Sequence, residues 1–131
     1  MNLLLDTHTL LWLMEGNPKL SRTAASLIAD PANRVHLSMA SIWELAIKLG
    51  LKKIGLSVQL DVFLATAIHG YALNVIDISL EDCIHYEPLP FPLSDHRDPF
   101  DRMIIVHAQQ HSLSIVGNDV AFDPYGITRL W

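Results

Sequence analysis

The sequence predicts an α/β fold in three layers, with helices covering both faces of a central, mainly parallel sheet. Leu3-Leu4-Leu5 is a continuous apolar run of the kind found in strands buried on both faces. Segments of strand character then alternate with segments of helical period, the pattern of units wound around a parallel sheet. The chain has 131 residues, 50% of them hydrophobic. That suits one domain, 1–131, able to bury roughly two-thirds of the surface its unfolded form exposes.

The first strand is Leu3 to Leu5, and Asp6 follows it directly. In open α/β sheets ligands lie beyond the carboxyl ends of the strands, so an acid there points at the functional edge. Asp is also a preferred helix N-cap, and on this segment alone both readings stand. His8 to Glu15 is a short helix with Leu10, Leu11, Leu13 and Met14 as its apolar positions, closed by Gly16-Asn17-Pro18. Ser21 caps a second helix, where Ala24, Ala25, Leu27 and Ile28 keep helical spacing until Asp30-Pro31 breaks it. Val35 to Ser38 is a strand. Met39 to Leu49 is a helix with Ile42, Leu45, Ala46 and Leu49 on one face and Gly50 at C′. Lys52, Lys53 and Gly55 make a polar link to a helix from Ser57 to His69, ended by Gly70. Tyr71 to Ile78 is a strand with β-branched Val75 and Ile76. Ser79 and Asp82 open a short helix that stops at the proline-rich stretch Pro88 to Pro92, and an exposed loop continues to Arg97. Pro99 to His111 is the next helix, Ser114 to Val116 the next strand, and Ile127 to Leu130 a last short one.

Four places in this layout put a carboxylate at a strand end or a helix start, all at one edge of the sheet. Asp6 ends the first strand, Glu44 lies near the start of the helix after the second, Asp98 and Asp101 open the helix after the proline loop, and Asp119 follows the strand ending at Val116. Each has a local explanation. Ser41 and Glu44 fit a capping box, with Lys48 one turn on as a partner for Glu44. Asp98-Pro99-Phe100-Asp101 reads as N-cap, proline at N1 and acid at N3; Asp119 fits a turn. Convergence is a different matter, because two like charges roughly 4 Å apart repel by about 4 kcal/mol at an effective dielectric of about 20. Such a cluster needs a cation or protons. Oxygen ligands without paired cysteines suit a hard ion, Mg²⁺ or Mn²⁺, and one or two such ions would activate a water and neutralise a phosphodiester undergoing in-line displacement.

Four motifs, Leu4-Leu5-Asp6-Thr7-His8, Ser38-Met39-Ala40-Ser41-Ile42-Trp43-Glu44-Leu45, His96-Arg97-Asp98-Pro99-Phe100-Asp101-Arg102 and Val116-Gly117-Asn118-Asp119, occur in the order and positions of a known family. The chain resembles the PIN domain along its whole length and, within it, the VapC-type toxins of bacterial type II toxin-antitoxin systems. The resemblance implies that Asp6, Glu44, Asp101 and Asp119 are the four metal-site acids, with Asp98 an additional acid of the subgroup. It implies a Mg²⁺- or Mn²⁺-dependent ribonuclease held inactive by a small VapB-like antitoxin. Thr7 and Ser41 are candidates for supporting contacts in such a site. Gly117 departs from the pattern, standing where many relatives carry Thr or Ser two residues before the fourth acid.

The net charge of −5 would ordinarily argue against a nucleic-acid partner. Bound cations reverse the sign of an acidic site, however, so the overall charge does not decide the matter. Lys48, Lys52, Lys53 and Arg102 are the basic groups near the acidic edge; they either grip an RNA backbone or form an ordinary solvated face. His107 and His111 have the i, i+4 spacing of a zinc pair but lack a third ligand, and His107 shares a face with Phe100, Met103, Ile104 and Ala108. His96 is expected to be exposed, and Trp12, Trp43 and Trp131 to serve core or interface. A receiver-like acidic signalling module would need its acceptor Asp on a middle strand and a late Lys, whereas no Lys follows Lys53. A PIN fold without catalysis remains the other alternative. The single Cys83 cannot form an internal disulfide, which suits a reducing compartment, and no apolar run reaches membrane-spanning length. The expectation is a soluble cytoplasmic protein, homodimeric, whose apolar side chains meet an antitoxin tail that brings an Arg or Lys to Asp6, Glu44 and Asp101.

Overall fold

A computed structural model describes residues 1–131. Its frame is a five-stranded sheet of β1 (Asn2–Leu5), β2 (Arg34–Ser38), β3 (Asn74–Ile76), β4 (Ser114–Val116) and β5 (Arg129–Leu130). The order across the sheet is β3-β2-β1-β4-β5, and every pairing is parallel. β1 is central, with Leu5 opposite Leu37 on one side and Val116 on the other. The helices are α1 (Thr7–Glu15), α2 (Arg22–Ala29), α3 (Met39–Gly50), α4 (Leu60–Gly70), α5 (Leu80–Tyr86) and α6 (Pro99–His111), and a 3₁₀ turn spans Val120–Tyr125.

The apolar run of β1 builds both halves of the core because successive strand side chains leave opposite faces. Leu3 and Leu5 join Leu10, Ile28, Leu45 and Phe63 under α1 to α4, while Leu4 joins Ile104, Ile105, Leu113 and Phe122 under α6. All three leucines are fully buried, each contributing roughly 1.5–3 kcal/mol of transfer free energy. The resulting α/β/α layering agrees with expectation. α3 belongs to both layers, with Ala40 in one cluster and Leu45 in the other. It therefore crosses the carboxyl edge of the sheet, where Glu44 is needed.

From β1 the chain winds outward through β2 to β3, then returns beyond β1 to β4 and β5. The crevice of such a sheet opens where the winding reverses, between β1 and β4. Asp6 and the Gly117-Asn118-Asp119 segment leave from those two strand ends.

Several boundaries differ from the sequence reading. Gly50 and Gly70 are the last residues of α3 and α4, and the left-handed backbone instead falls on Lys52 and Ala72, with a third such residue, Ser112, ending α6. Tyr71 caps α4, so β3 contracts to three residues, and α4 begins at Leu60 behind Gln59. The last strand shortens to Arg129–Leu130, and Ile127 and Thr128 link it to the 3₁₀ turn that ends at Tyr125. No helix is long and apolar enough to cross a membrane.

Candidate active site

Asp6 stands at the N-cap position of α1, but its side chain makes no capping bond. Its backbone N–H is tied to the Val116 carbonyl at 3.1 Å, fastening the end of β1 to that of β4. The carboxyl is almost fully buried. Burial above all pushes it up to about 7, with Glu44, Asp119 and Asp98 adding repulsion against the opposing Thr7 N–H. Gly117 gives Asp6 room at this position. A Cβ there would lie 3.0 Å from the Asp6 Cβ and 3.5 Å from Oδ2, so the departure from the family pattern coincides with the seat of the first acid.

Glu44 has no capping role. The cap of α3 is Ser38, whose Oγ accepts from Ala40 N at 3.0 Å, three residues before the serine that the capping-box pattern picks out. Ser41 Oγ instead accepts from Thr7 Oγ1 at 2.9 Å inside the protein, joining the starts of α1 and α3. Thr9 adds a further tie through Oγ1 to the Val116 carbonyl at 2.8 Å. Glu44 is 4% exposed. Lys48 Nζ donates to its Oε2 at 2.7 Å, as the spacing predicts, and that bond raises the lysine pKa. Oε1 is buried without a partner.

At the head of α6, Asp98 Oδ1 accepts from Phe100 N at 2.9 Å and Asp101 N at 3.0 Å, with Pro99 in the first turn, as the sequence predicts. Asp101 is half-buried and receives His96 Nε2 on Oδ2 at 3.1 Å. Its carboxyl is also pushed up to about 7, chiefly by burial, with Asp98 and Asp6 adding repulsion that His96 opposes. Asp119 is exposed and caps the 3₁₀ turn by accepting from Ala121 N at 2.9 Å. Asp6 thus feels Glu44, Asp119 and Asp98, and Asp101 feels Asp98 and Asp6. The five acids share one electrostatic neighbourhood.

This donor set suits a hard divalent ion in chemistry: every ligand is oxygen, two carboxyls are strained by each other and by burial, and one buried oxygen lacks a partner. No group of three or more His, Cys, Asp or Glu side chains is drawn together closely enough to hold a metal ion by itself. Mg²⁺ is commonly bound by one or two carboxylates with retained waters, which agrees with so open an arrangement.

Two expectations are corrected. Arg102 is not a surface contact for RNA: it is 1% exposed, donates to the Leu89, Pro90 and Tyr125 oxygens, and lies 3.6 Å from the Phe91 ring centroid. His96 is not exposed but packed against Phe122 and Tyr125. His107 is buried on the apolar face of α6, as its spacing suggests, and its ring nitrogens meet Ser38 Oγ at 2.9 Å and Asp82 Oδ2 at 3.0 Å. That Ser-His-Asp trio is itself buried and serves the α3 cap rather than forming a nucleophile. Lys48 is engaged by Glu44, leaving Lys52 and Lys53 as the exposed basic groups. Trp12 and Trp131 pack edge to face, whereas Trp43 is 57% exposed beside Phe100. The His96 and Tyr125 contacts escaped sequence reasoning because they join a loop to segments 5 and 29 residues away.

The PIN domain family model matches residues 3–127, a span containing all five acids. A comparison with curated proteins finds no match. Among solved structures the chain is similar to VapBC2 from Rickettsia felis bound to a promoter DNA fragment (20% identity, TM-score 0.73, 99% of this chain and 98% of that chain). It is also similar to DNA-bound VapBC from Salmonella typhimurium (24% identity, TM-score 0.69, 99% and 97%). A third similar structure is VapBC-5 from Mycobacterium tuberculosis, a member of the VapBC family of toxin-antitoxin systems (16% identity, TM-score 0.61, 98% and 98%). The receiver-like alternative gives way to the family match.

Proposed function

Because this chain belongs to the PIN domain family, we propose that it is a Mg²⁺- or Mn²⁺-dependent ribonuclease and the toxin of a toxin-antitoxin pair, acting in the cytoplasm. The observation that carries the reading is the gathering of acids from four separate segments at the point where the sheet reverses its winding, with Asp6 and Asp101 each pushed up to about 7. Asp6, Glu44, Asp101 and Asp119 would hold the ion, with Asp98 beside them as the cap of α6. When bound, the ion supplies positive charge to the scissile phosphodiester and favours ionisation of the attacking water. The chain's own groups prepare the place. Gly117 lets Asp6 sit against the end of β4, and Thr7 and Ser41 lock the two helix starts that carry Asp6 and Glu44. Lys48 holds Glu44 by Oε2 and leaves Oε1 to face a cation.

The partner reading rests on an apolar cavity of about 300 Å³ beside the acids, lined by Ala40, Trp43, Ile78, Tyr86, Phe100 and Met103. A VapB-like antitoxin would lay apolar side chains there and bring an Arg or Lys to Asp6, Glu44 and Asp101, since a guanidinium matches paired carboxylates in shape and charge. The solved VapBC structures support this choice of partner, and a homodimer is the expected assembly. Incubating the purified, antitoxin-free chain with total RNA, with and without Mg²⁺ or Mn²⁺, and mapping the cut ends tests the activity. Ion-dependent cuts at defined sites are expected; intact RNA under every condition, with partner binding retained, would identify a PIN fold that only binds.

A further inference from the structure

Three side chains that no ligand set accounts for, Arg102, Tyr125 and His96, form a path that ends on Asp101. Arg102 is buried with no carboxylate against it; the Leu89 carbonyl at 2.7 Å, the Pro90 carbonyl at 3.0 Å and the Phe91 ring hold it in place. Its Nη1 lies 3.2 Å from Tyr125 Oη, Tyr125 Oη lies 3.0 Å from His96 Nδ1, and His96 Nε2 lies 3.1 Å from Asp101 Oδ2.

The donor inventory orders the hydrogens along this path. A guanidinium has only donors, so Arg102 Nη1–H donates to the phenol oxygen. The phenol hydrogen is then directed to His96 Nδ1, which accepts it. An ionised carboxylate only accepts, so the imidazole hydrogen sits on Nε2 and is donated to Asp101, which leaves Nδ1 to accept from the phenol.

We propose that His96, set in its Nε2–H form by Tyr125 and Arg102, is the positioning residue for Asp101. It engages Oδ2 and leaves Oδ1 as the oxygen free for the acid cluster. The parts are well placed for this. Arg102 follows Asp101 directly on α6, Tyr125 closes the 3₁₀ turn that Asp119 caps, and His96 lies between the Tyr125 and Phe122 rings. One buried cation thereby ties together the loop before α6, the start of α6 and the segment after β4, on which Asp101 and Asp119 depend. Groups that hydrogen-bond to metal-binding side chains typically alter metal affinity ten- to a hundredfold when removed.

The inference rests on the proposed ion site for its consequence but not for its geometry, and two measurements on the full chain keep these apart. Long-range ¹H–¹⁵N correlation of the ion-free protein at pH about 8, where an ordinary histidine is neutral, should show His96 protonated on Nε2, with that hydrogen protected from exchange. Protection should fall in Tyr125→Phe. Hydrogen on Nδ1, or an unprotected Nε2–H, overturns the proposal. Calorimetric titration with Mn²⁺ should show His96→Ala binding about tenfold or more weakly than wild type, and His96→Gln, whose amide can still donate to Asp101, recovering most of the loss. Equal affinity in wild type and His96→Ala overturns it as well. If the wild type binds no Mn²⁺, the ion reading fails and the exchange measurement still decides the proposal.

Discussion

At the residue scale, Glu44 Oε1 and the Asp6 carboxyl are destabilising in the ion-free protein. A buried carboxylate oxygen without a partner costs about 1–3 kcal/mol or more, and Asp6 is pushed from 3.8 up to about 7. Because its folded pKa is raised, the stability linked to Asp6 is fully present below about pH 4 and is lost as pH rises through about 7. Asp6→Asn should therefore abolish cleavage while making the ion-free protein more stable than wild type above pH 7, by on the order of 2–4 kcal/mol. Denaturant unfolding of both forms at pH 5 and pH 8 checks this; the gap should widen at the higher pH. Gly117→Thr is the converse case. Its Cβ would meet Asp6 at 3.0 Å, so we expect lowered activity together with a stability loss of roughly 1–3 kcal/mol from crowding in a packed interior, measured by urea unfolding and a cleavage assay.

At the element scale, the start of α6 separates two acids three residues apart. Asp98 spends Oδ1 on the backbone cap, whereas Asp101 turns to His96 and the site. Asn caps nearly as well as Asp. Asp98→Asn should leave melting temperature and turnover close to wild type, while Asp101→Asn should remove turnover with the helix intact by circular dichroism. That local chemistry was legible in the sequence because Asp-Pro-Phe-Asp states cap, N1 and N3 in one reading frame. β1 was legible for a similar reason: three consecutive leucines have no partly exposed alternative. The α3 cap was not, since the capping-box pattern favours Ser41 over Ser38, whereas in the fold Ser41 is engaged by Thr7 and Ser38 caps the helix. Helix ends at Gly50 and Gly70 were misplaced because the left-handed residue fell on Lys52 and Ala72, side chains that give no such signal. His96 was misread for want of any local pattern linking a loop imidazole to Tyr125.

For the whole molecule, the proposed action on RNA would require cations for association as well as chemistry in so acidic a chain. Its net charge of −5 gives no overall attraction for a polyanion. The apolar cavity between α3 and α6 adjoins the same acids, so a single partner tail could cover both. Co-expression with the product of the adjacent upstream reading frame should give a stable complex with suppressed ribonuclease activity. If no neighbour-encoded protein binds and expression of the chain alone leaves growth untouched, the toxin reading fails while a nuclease reading survives.

In the proposed function, the acids at the carboxyl edge of β1 and β4 form one divalent-ion site held under repulsion until the ion arrives. Calorimetric titration of the ion-free chain with Mn²⁺, repeated in buffers of different ionisation enthalpy, addresses it directly. With Asp6 and Asp101 each pushed up to about 7, binding at pH 7 should release about one proton from the pair, falling toward none at pH about 9. Both the affinity and the proton count should drop in Asp6→Asn. Absence of Mn²⁺ binding, or binding with no proton release at pH 7 and unchanged by Asp6→Asn, would contradict the account.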